Sequence, residues 1–280
     1  MKTLTKILGM TLVATCFSCI STEETIRPSK NYITEKRNIN SIEIISTSSS
    51  IDIVYYQTND KPYAEIYASD NVMPYIILKD SNGELTAYYK KGTNIKGENH
   101  CHINVYAPNV TQFKTNASGD ISIPNGLNTK KDVQLYTQAS GNIECPSIEC
   151  ENINIKTNAS GDIEMKETVC QNASLSVNAS GDISITQMKC KENLDAEINA
   201  SGDINVSGNS HKATLANRAS GDLDAENLIT DEINAESYGS GDISCYASKA
   251  ITAKTYGSGN LIYYGNPAQT NNKGKNIYRK

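Results

Sequence analysis

Six aspartates stand at nearly one interval along the chain: Asp120, Asp162, Asp182, Asp203, Asp222 and Asp242, each after a glycine, with Asn142 and Asn260 taking the same place in two further copies. Carboxylates at a fixed spacing could stack into a ladder of oxygen ligands, and the ion suited to such a ladder is calcium, which takes six to eight oxygens. Calcium-binding nonapeptide repeats supply several ligands per ion, whereas each copy here supplies one carboxylate and the two asparagines interrupt the row. Turn chemistry explains the same residues more simply: glycine accepts a positive φ at a corner, and short Ser and Asp side chains bond turn amides. Like charges about 5 Å apart cost on the order of 1 kcal/mol in a water-like dielectric, so a solvated row is tolerable. The row is assigned to structure, with no metal.

The thiols are a second candidate. Beyond the N-terminal segment lie Cys101, Cys145, Cys150, Cys170, Cys190 and Cys245, and Cys150, Cys170 and Cys190 are each 20 residues apart. Stacked at that spacing they would fall within the α-carbon range a disulfide accepts, and an exported chain permits oxidation. Yet Cys145 and Cys245 occupy slots that Met165 and Ile185 fill elsewhere, where a thiol serves as a small apolar side chain. Buried free thiols are the expectation. His211 stands alone among the repeats and no Cys-x-x-Cys follows the N-terminal segment, so zinc is not expected. His100 and His102 read as a surface pair.

What positions these residues is a repeat. Ala117-Ser118-Gly119-Asp120 recurs with its central glycine at Gly141, Gly161, Gly181, Gly202, Gly221, Gly241 and Gly259, in steps of 22, 20, 20, 21, 19, 20 and 18 residues. That regularity marks a solenoid. The flanks alternate with period two, as strands do: Ile163 and Met165 or Ile183 and Ile185 follow the motif, and Ile153 with Ile155 or Ala213 with Leu215 precede it, all facing inward. A more variable third segment offers Ile148, Val169, Met188 and Leu228 as inward residues. The pattern predicts an all-β, right-handed parallel β-helix of about 20 residues per coil, with right-handed winding as the default for such crossovers. Strands upstream, with Asp80-Ser81-Asn82-Gly83 as a hairpin turn, predict a β-rich N-terminal cap.

Composition agrees. The 280 residues carry no Trp, two Phe and 31 Asn, which suits a narrow, turn-rich stack better than a thick core. With 26 Lys plus Arg against 31 Asp plus Glu, for a net charge of -5, no basic excess exists to neutralise a phosphate backbone, and nucleic acid is not an expected partner. At the N-terminus, Lys2 and Lys6 precede an apolar run from Ile7 to Cys16 that is too short to span a bilayer and reads as an export signal. The chain divides into a lipoprotein signal peptide (1–19), a flexible tether (20–36), a β-helix domain (37–267, with the cap at 37–110 and the coils at 111–267) and a C-terminal tail (268–280) that either covers the last coil or frays.

Two resemblances follow from particular residues. Cys16-Phe17-Ser18-Cys19 resembles a bacterial lipobox, and Ser21-Thr22-Glu23-Glu24 resembles the acidic tag of Bacteroidetes surface lipoproteins. Cys19 is the preferred lipidation site and Cys16 the alternative; the acyl chains would anchor the protein without spanning the membrane. The Ser-Gly-Asp and Ser-Gly-Asn copies, the entry Ser49-Ser50-Ile51-Asp52-Ile53, Val105-Tyr106-Ala107-Pro108-Asn109 and the closing Tyr263-Tyr264-Gly265-Asn266-Pro267 resemble the autotransporter-adhesin head GIN domain family of Bacteroidetes, over Ile42 to Pro267. The resemblance implies a secreted or lipid-anchored β-helix at the outer membrane surface, with adhesion implied by the family name and no catalytic or ligand residue to carry over.

The resulting expectation is a non-enzymatic surface lipoprotein without cofactor, an adhesin or carbohydrate-contacting β-helix whose partners are the membrane, through its lipid, and a surface glycan or another host or bacterial surface component. Two alternatives stand beside it. A pectinase-like polysaccharide-processing enzyme would share the architecture, but Arg218 is the one arginine in the repeats, and only Tyr238 and Tyr256 offer an aromatic stacking platform there. A structural envelope protein without a specific ligand is the other. Neither an oligomeric state nor a particular ligand follows from the sequence.

Overall fold

The computed structural model describes residues 24–280, so the segment read above as an export signal, with Cys16 and Cys19, lies outside the described residues. Among the described residues, apart from a single 3-10 turn at Met73–Tyr75, the regular structure is β. Among the described residues, no helix is long and apolar enough to cross a membrane.

The repeats wind into a parallel β-solenoid. Ile183–Ile198, Ile204–Asn217, Leu223–Ser237 and Ile243–Thr255 each trace almost a whole coil as one long strand, paired in parallel with the coil before and after. Register shifts between Ile185 and Met188 and between Cys190 and Asn193 mark the bends that divide a coil into three sides. The first side follows the Ser-Gly-Asp motif, the second is short, and the third leads back to the next motif.

Equivalent residues stack in register. On the first side Ile143, Ile163, Ile183, Ile204, Leu223, Ile243 and Leu261 form one column. On the third side Leu135, Ile155, Leu175, Ala196, Leu215, Ala235 and Ala253 form another. All are buried. Burying each Leu or Ile side chain contributes roughly 1.5–3 kcal/mol, and the identical slots explain why branched aliphatics serve where aromatics would not stack.

The second side departs from the expected pattern at one residue. Ile148, Thr168, Met188 and Leu228 point inward, joined by Gly208, while Val169 is only half-buried. Strict alternation from Ile163 and Met165 leads to Val169, but the bend after Met165 changes the parity and turns Thr168 in. The Thr168 hydroxyl is accommodated against the Met165 sulfur at 3.8 Å.

The stack begins before the first motif. Ile44–Thr47 and Asp52–Gln57 already form a coil, parallel to Gln112–Thr115 and Ile121–Ser122 above it and to Glu84–Tyr89 and His102–Ala107 below. Below these, antiparallel strands end the sheet: Tyr63–Ser69 pairs with His102–Ala107, and Ile76–Ser81 forms a hairpin with Glu84–Tyr89 through Asn82 (φ 55°) and Gly83 (φ 76°). Consecutive positive φ values are what an Asn-Gly hairpin turn requires. The tether expectation fails over its described part. Tyr32–Asn38 is the outermost cap strand, antiparallel to Tyr63–Ser69, and Glu24–Ile26 pairs with Thr93–Ile95. An edge strand exposed on both faces needs no apolar alternation, so its mixed charges resemble a linker, and charges on such an edge also discourage pairing with other chains.

At the far end the tail adds one more coil. Gln269–Lys273 pairs with Ala250–Lys254, and Ile277–Arg279 pairs with Leu261–Tyr263.

Candidate functional site

Along the Ser-Gly-Asp corner the carboxylates are engaged in backbone capping. Asp120 Oδ1 accepts the backbone N–H of Asn142 at 2.7 Å, Asn142 Oδ1 that of Asp162 at 2.8 Å, Asp162 that of Asp182 at 2.8 Å, and Asp182 that of Asp203 at 2.8 Å. The series continues from Asp203 to Asp222, Asp222 to Asp242 and Asp242 to Asn260. It starts one coil early, at Asp52, which caps the amide of Asp120 at 3.0 Å. Only Oδ1 is needed, so asparagine substitutes freely. Among the described residues, no three His, Cys, Asp or Glu side chains converge as a metal-ligand group.

The glycines of the motif have a different basis from the one expected. Gly119, Gly141, Gly161, Gly181, Gly202, Gly221, Gly241 and Gly259 do not have positive φ. Instead, a Cβ at Gly141, Gly161 or Gly181 would overlap the carbonyl oxygen of the motif glycine in the preceding coil. Coil corners are stacked too closely for any side chain. Inside the same corner, Thr115, Thr137 and Thr157 donate to the carbonyls of Gly141, Gly161 and Gly181 at 2.8, 2.9 and 3.0 Å, which satisfies the buried hydroxyls.

All six described cysteines are buried free thiols. Burial pushes Cys145, Cys150 and Cys245 up to about 12. Cys170 and Cys190 are in register on adjacent coils, and Cys170 is held above the ordinary thiol range first by its hydrogen bond with Cys190 and then by burial. The histidines do not converge. His100 pairs with Glu98 at 3.0 Å, His102 lies against Tyr67, and His211 Nδ1 meets Asp231 Oδ2 at 3.1 Å. Asp231 also accepts from Ser248 and Lys249, each at 2.9 Å, and these bonds, Lys249 foremost, hold its carboxyl down to about 2.

In the described Ser-Gly-Asp coils, two open aromatic rings stand at the corner just before the motif. In earlier coils this position is an amide ladder, Asn158, Asn178 and Asn199, joined Nδ2 to Oδ1 at 3.0 Å per step. Arg218, Tyr238 and Tyr256 then replace it. The two tyrosine rings stack at 4.7 Å with 12° between planes, and the Arg218 guanidinium lies 5.7 Å from the Tyr238 centroid. Tyr238 is 43% and Tyr256 63% exposed. Glu236 supports them, accepting from the Tyr238 hydroxyl and from Lys254 at 2.7 Å, and those bonds, that of Lys254 first, hold its carboxyl below the usual range.

A second aromatic surface escapes sequence reading. On the outer face of the cap, Tyr56, Tyr106 and Tyr63 stack at 5.0 and 4.5 Å, with Lys36 3.4 Å above Tyr63, while Tyr32 stacks on Tyr67 at 5.2 Å. Outward positions in the strands are the available signal, but the rings meet only once Asp52–Gln57, Tyr63–Ser69 and His102–Ala107 are known to be neighbours. Packed face to face, they present edges and hydroxyls.

The family model described as "Putative auto-transporter adhesin, head GIN domain" matches residues 42–192 and 166–267. No match is found among curated proteins. Solved structures share the fold: a "putative lipid binding protein" from Parabacteroides distasonis (22% identity, TM-score 0.66, covering 92% of this chain and 100% of that one) is one. Two others are described as putative adhesins, from Parabacteroides distasonis (16%, TM-score 0.71, 91% and 99% covered) and Parabacteroides merdae (18%, TM-score 0.68, 91% and 99% covered).

Proposed function

From the premise that the chain belongs to the auto-transporter adhesin, head GIN domain family, we propose that it is a non-enzymatic, lipid-anchored protein of the bacterial outer membrane surface that adheres by contacting a glycan. Cys19, with Cys16 as the alternative, carries the acyl anchor. The observation that supports binding over catalysis is the state of the carboxylate beside the open tyrosines. A glycosidase acid must hold its proton near neutral pH, which requires a raised pKa, whereas Glu236 is lowered by Lys254 and Tyr238. Glu197 is likewise paired with Arg218 and Glu232 with Lys212. These carboxylates are each occupied by a cation.

A glycan array probed with residues 21–280 tests the function. Specific retention without product supports adhesion; released oligosaccharides would establish the polysaccharide-processing alternative, and neither would favour a structural envelope role. The anchor is tested by metabolic labelling with an alkynyl fatty acid, where Cys19→Ser loses label and Cys16→Ser keeps it.

A further inference from the structure

The outer face of the third side carries one row that differs from its neighbours. Asn154, Ser174, Asp195, Thr214, Asn234 and Thr252 follow one another in register, one per coil. To one side, Asn152, Asn172 and Asn193 bond amide to amide at 2.9 and 3.1 Å; to the other, at the corner, Asn158, Asn178 and Asn199 do the same at 3.0 Å. Those flanking ladders use their polar groups on each other. Ser174 lies between these ladders, and Thr214 and Asn234 continue its row in the coils beyond them; all three are exposed and belong to neither ladder, so their hydroxyls and amide face outward.

The same row is the floor of a groove. Three depressions of about 270, 470 and 510 Å³ follow one another along it, the first two sharing Asn154, Ser174 and Asp195 and the last two sharing Thr214. They extend from the strand Val133–Thr137 to Gln269–Lys273, seven coil steps, or roughly 34 Å at about 4.8 Å each. Arg218 lines the middle depression and begins the stack that Tyr238 and Tyr256 continue along the corner.

The chemistry of the groove selects its occupant. A peptide strand needs an unpaired sheet edge, and the strands of the floor are paired on both sides. An amphipathic helix needs an apolar groove, and this floor is polar, made of hydroxyls, amides and the Asp195 carboxylate, all able to bond a hydroxyl. A polyanion needs surplus cations, but the lining cations Lys156, Lys212 and Arg218 are matched in number by Asp195, Glu232 and Glu197, with Lys212 paired to Glu232 at 3.0 Å and Arg218 to Glu197. A chain rich in hydroxyls, with C–H ring faces able to lie on an aromatic ring, meets every requirement. We propose that this axial groove binds an extended, uncharged polysaccharide, its hydroxyls on the Ser174–Thr214–Asn234 row and one sugar ring against Tyr256. The proposal rests on the glycan-contact reading above and gives it a site.

Affinity electrophoresis of the whole chain, purified in detergent, tests it with galactomannan, amylopectin, hydroxyethyl cellulose and a β-1,3-glucan in the gel, and with polygalacturonate and chitosan as charged comparisons. Retardation by at least one neutral polymer is expected. Thr214→Tyr, which fills the floor at an exposed strand position that tolerates an aromatic, and the double variant Tyr238→Ala/Tyr256→Ala should each weaken it by about tenfold, or about 1.4 kcal/mol. Asn205→Tyr, the same kind of change on the first side, should leave it unchanged, with circular dichroism showing all variants folded. Retardation that survives both groove changes overturns the groove while leaving glycan contact standing. Retardation by the charged polymers alone overturns the uncharged ligand, and no retardation by any polymer overturns the groove and the glycan-contact reading together.

Discussion

Asp182 Oδ1 accepts the backbone N–H of Asp203 at 2.8 Å, one coil further on. The bond uses an oxygen that asparagine also has, and Asn142 performs the same task toward Asp162 at 2.8 Å. Asp182→Asn should therefore leave the thermal midpoint within about 1 °C, whereas Asp182→Ala removes the acceptor and costs about 1 kcal/mol, comparable to losing a helix cap. Calorimetric titration with calcium should not distinguish the wild type from Asp182→Asn/Asp203→Asn; tight binding lost in that variant would restore the ion-ladder explanation.

Gly161→Ala should be far more damaging than its size suggests. The new Cβ would overlap the Gly141 carbonyl oxygen, which is backbone and cannot swing away. We expect a loss of about 3 kcal/mol or more in urea unfolding. At Gly83 nothing lies within 4 Å and only φ of +76° opposes a side chain, so Gly83→Ala should cost about 1 kcal/mol. Equal losses at both sites would refute the steric account.

The buried thiols should be unreactive until the fold opens. Cys145, Cys150 and Cys245 are buried and pushed up to about 12, leaving little thiolate near neutral pH. Iodoacetamide at pH 8 should leave these three unmodified in native protein and alkylate them in guanidinium, as read by peptide mass spectrometry. Rapid native labelling of Cys245 would show that its coil opens readily.

Acid should weaken the second-side cluster around Asp231. Its folded pKa of about 2 lies below the unfolded value of 3.8, so its contribution is present above about pH 4 and is lost as pH falls through about 2. Melting temperature followed from pH 5 to pH 2 should therefore drop less steeply in Asp231→Asn than in the wild type. Parallel curves would mean that the bonds from Lys249, Ser248 and His211 add nothing to stability.

The coil repeat is legible because two periods coincide, alternation within a strand and about 20 residues between motifs. What is not legible arises between coils or between strands distant in sequence. Thr168 takes the inward place of Val169 because a bend shifts parity, and the motif glycines answer to a carbonyl about 20 residues earlier that no local pattern announces. Tyr32–Asn38 pairs as an edge strand without a buried face, so its composition hides it. The tyrosine pair at 238 and 256 could be anticipated from equivalent positions, but the groove beside it depends on which polar rows bond to themselves and which do not.

The stacking direction also determines how the molecule bears tension. Ladder bonds between coils run along the solenoid axis, from Ile143 to Ile163 to Ile183 and onward. Force applied between the two ends loads the coils in series, as in a zipper opened from one end, and each yields separately. A released coil frees about 20 residues, roughly 60 Å of extended chain beyond the thickness it occupied. In an optical trap the protein should extend as an evenly stepped sawtooth of that spacing, making the stack a shock absorber between whatever holds its opposite ends.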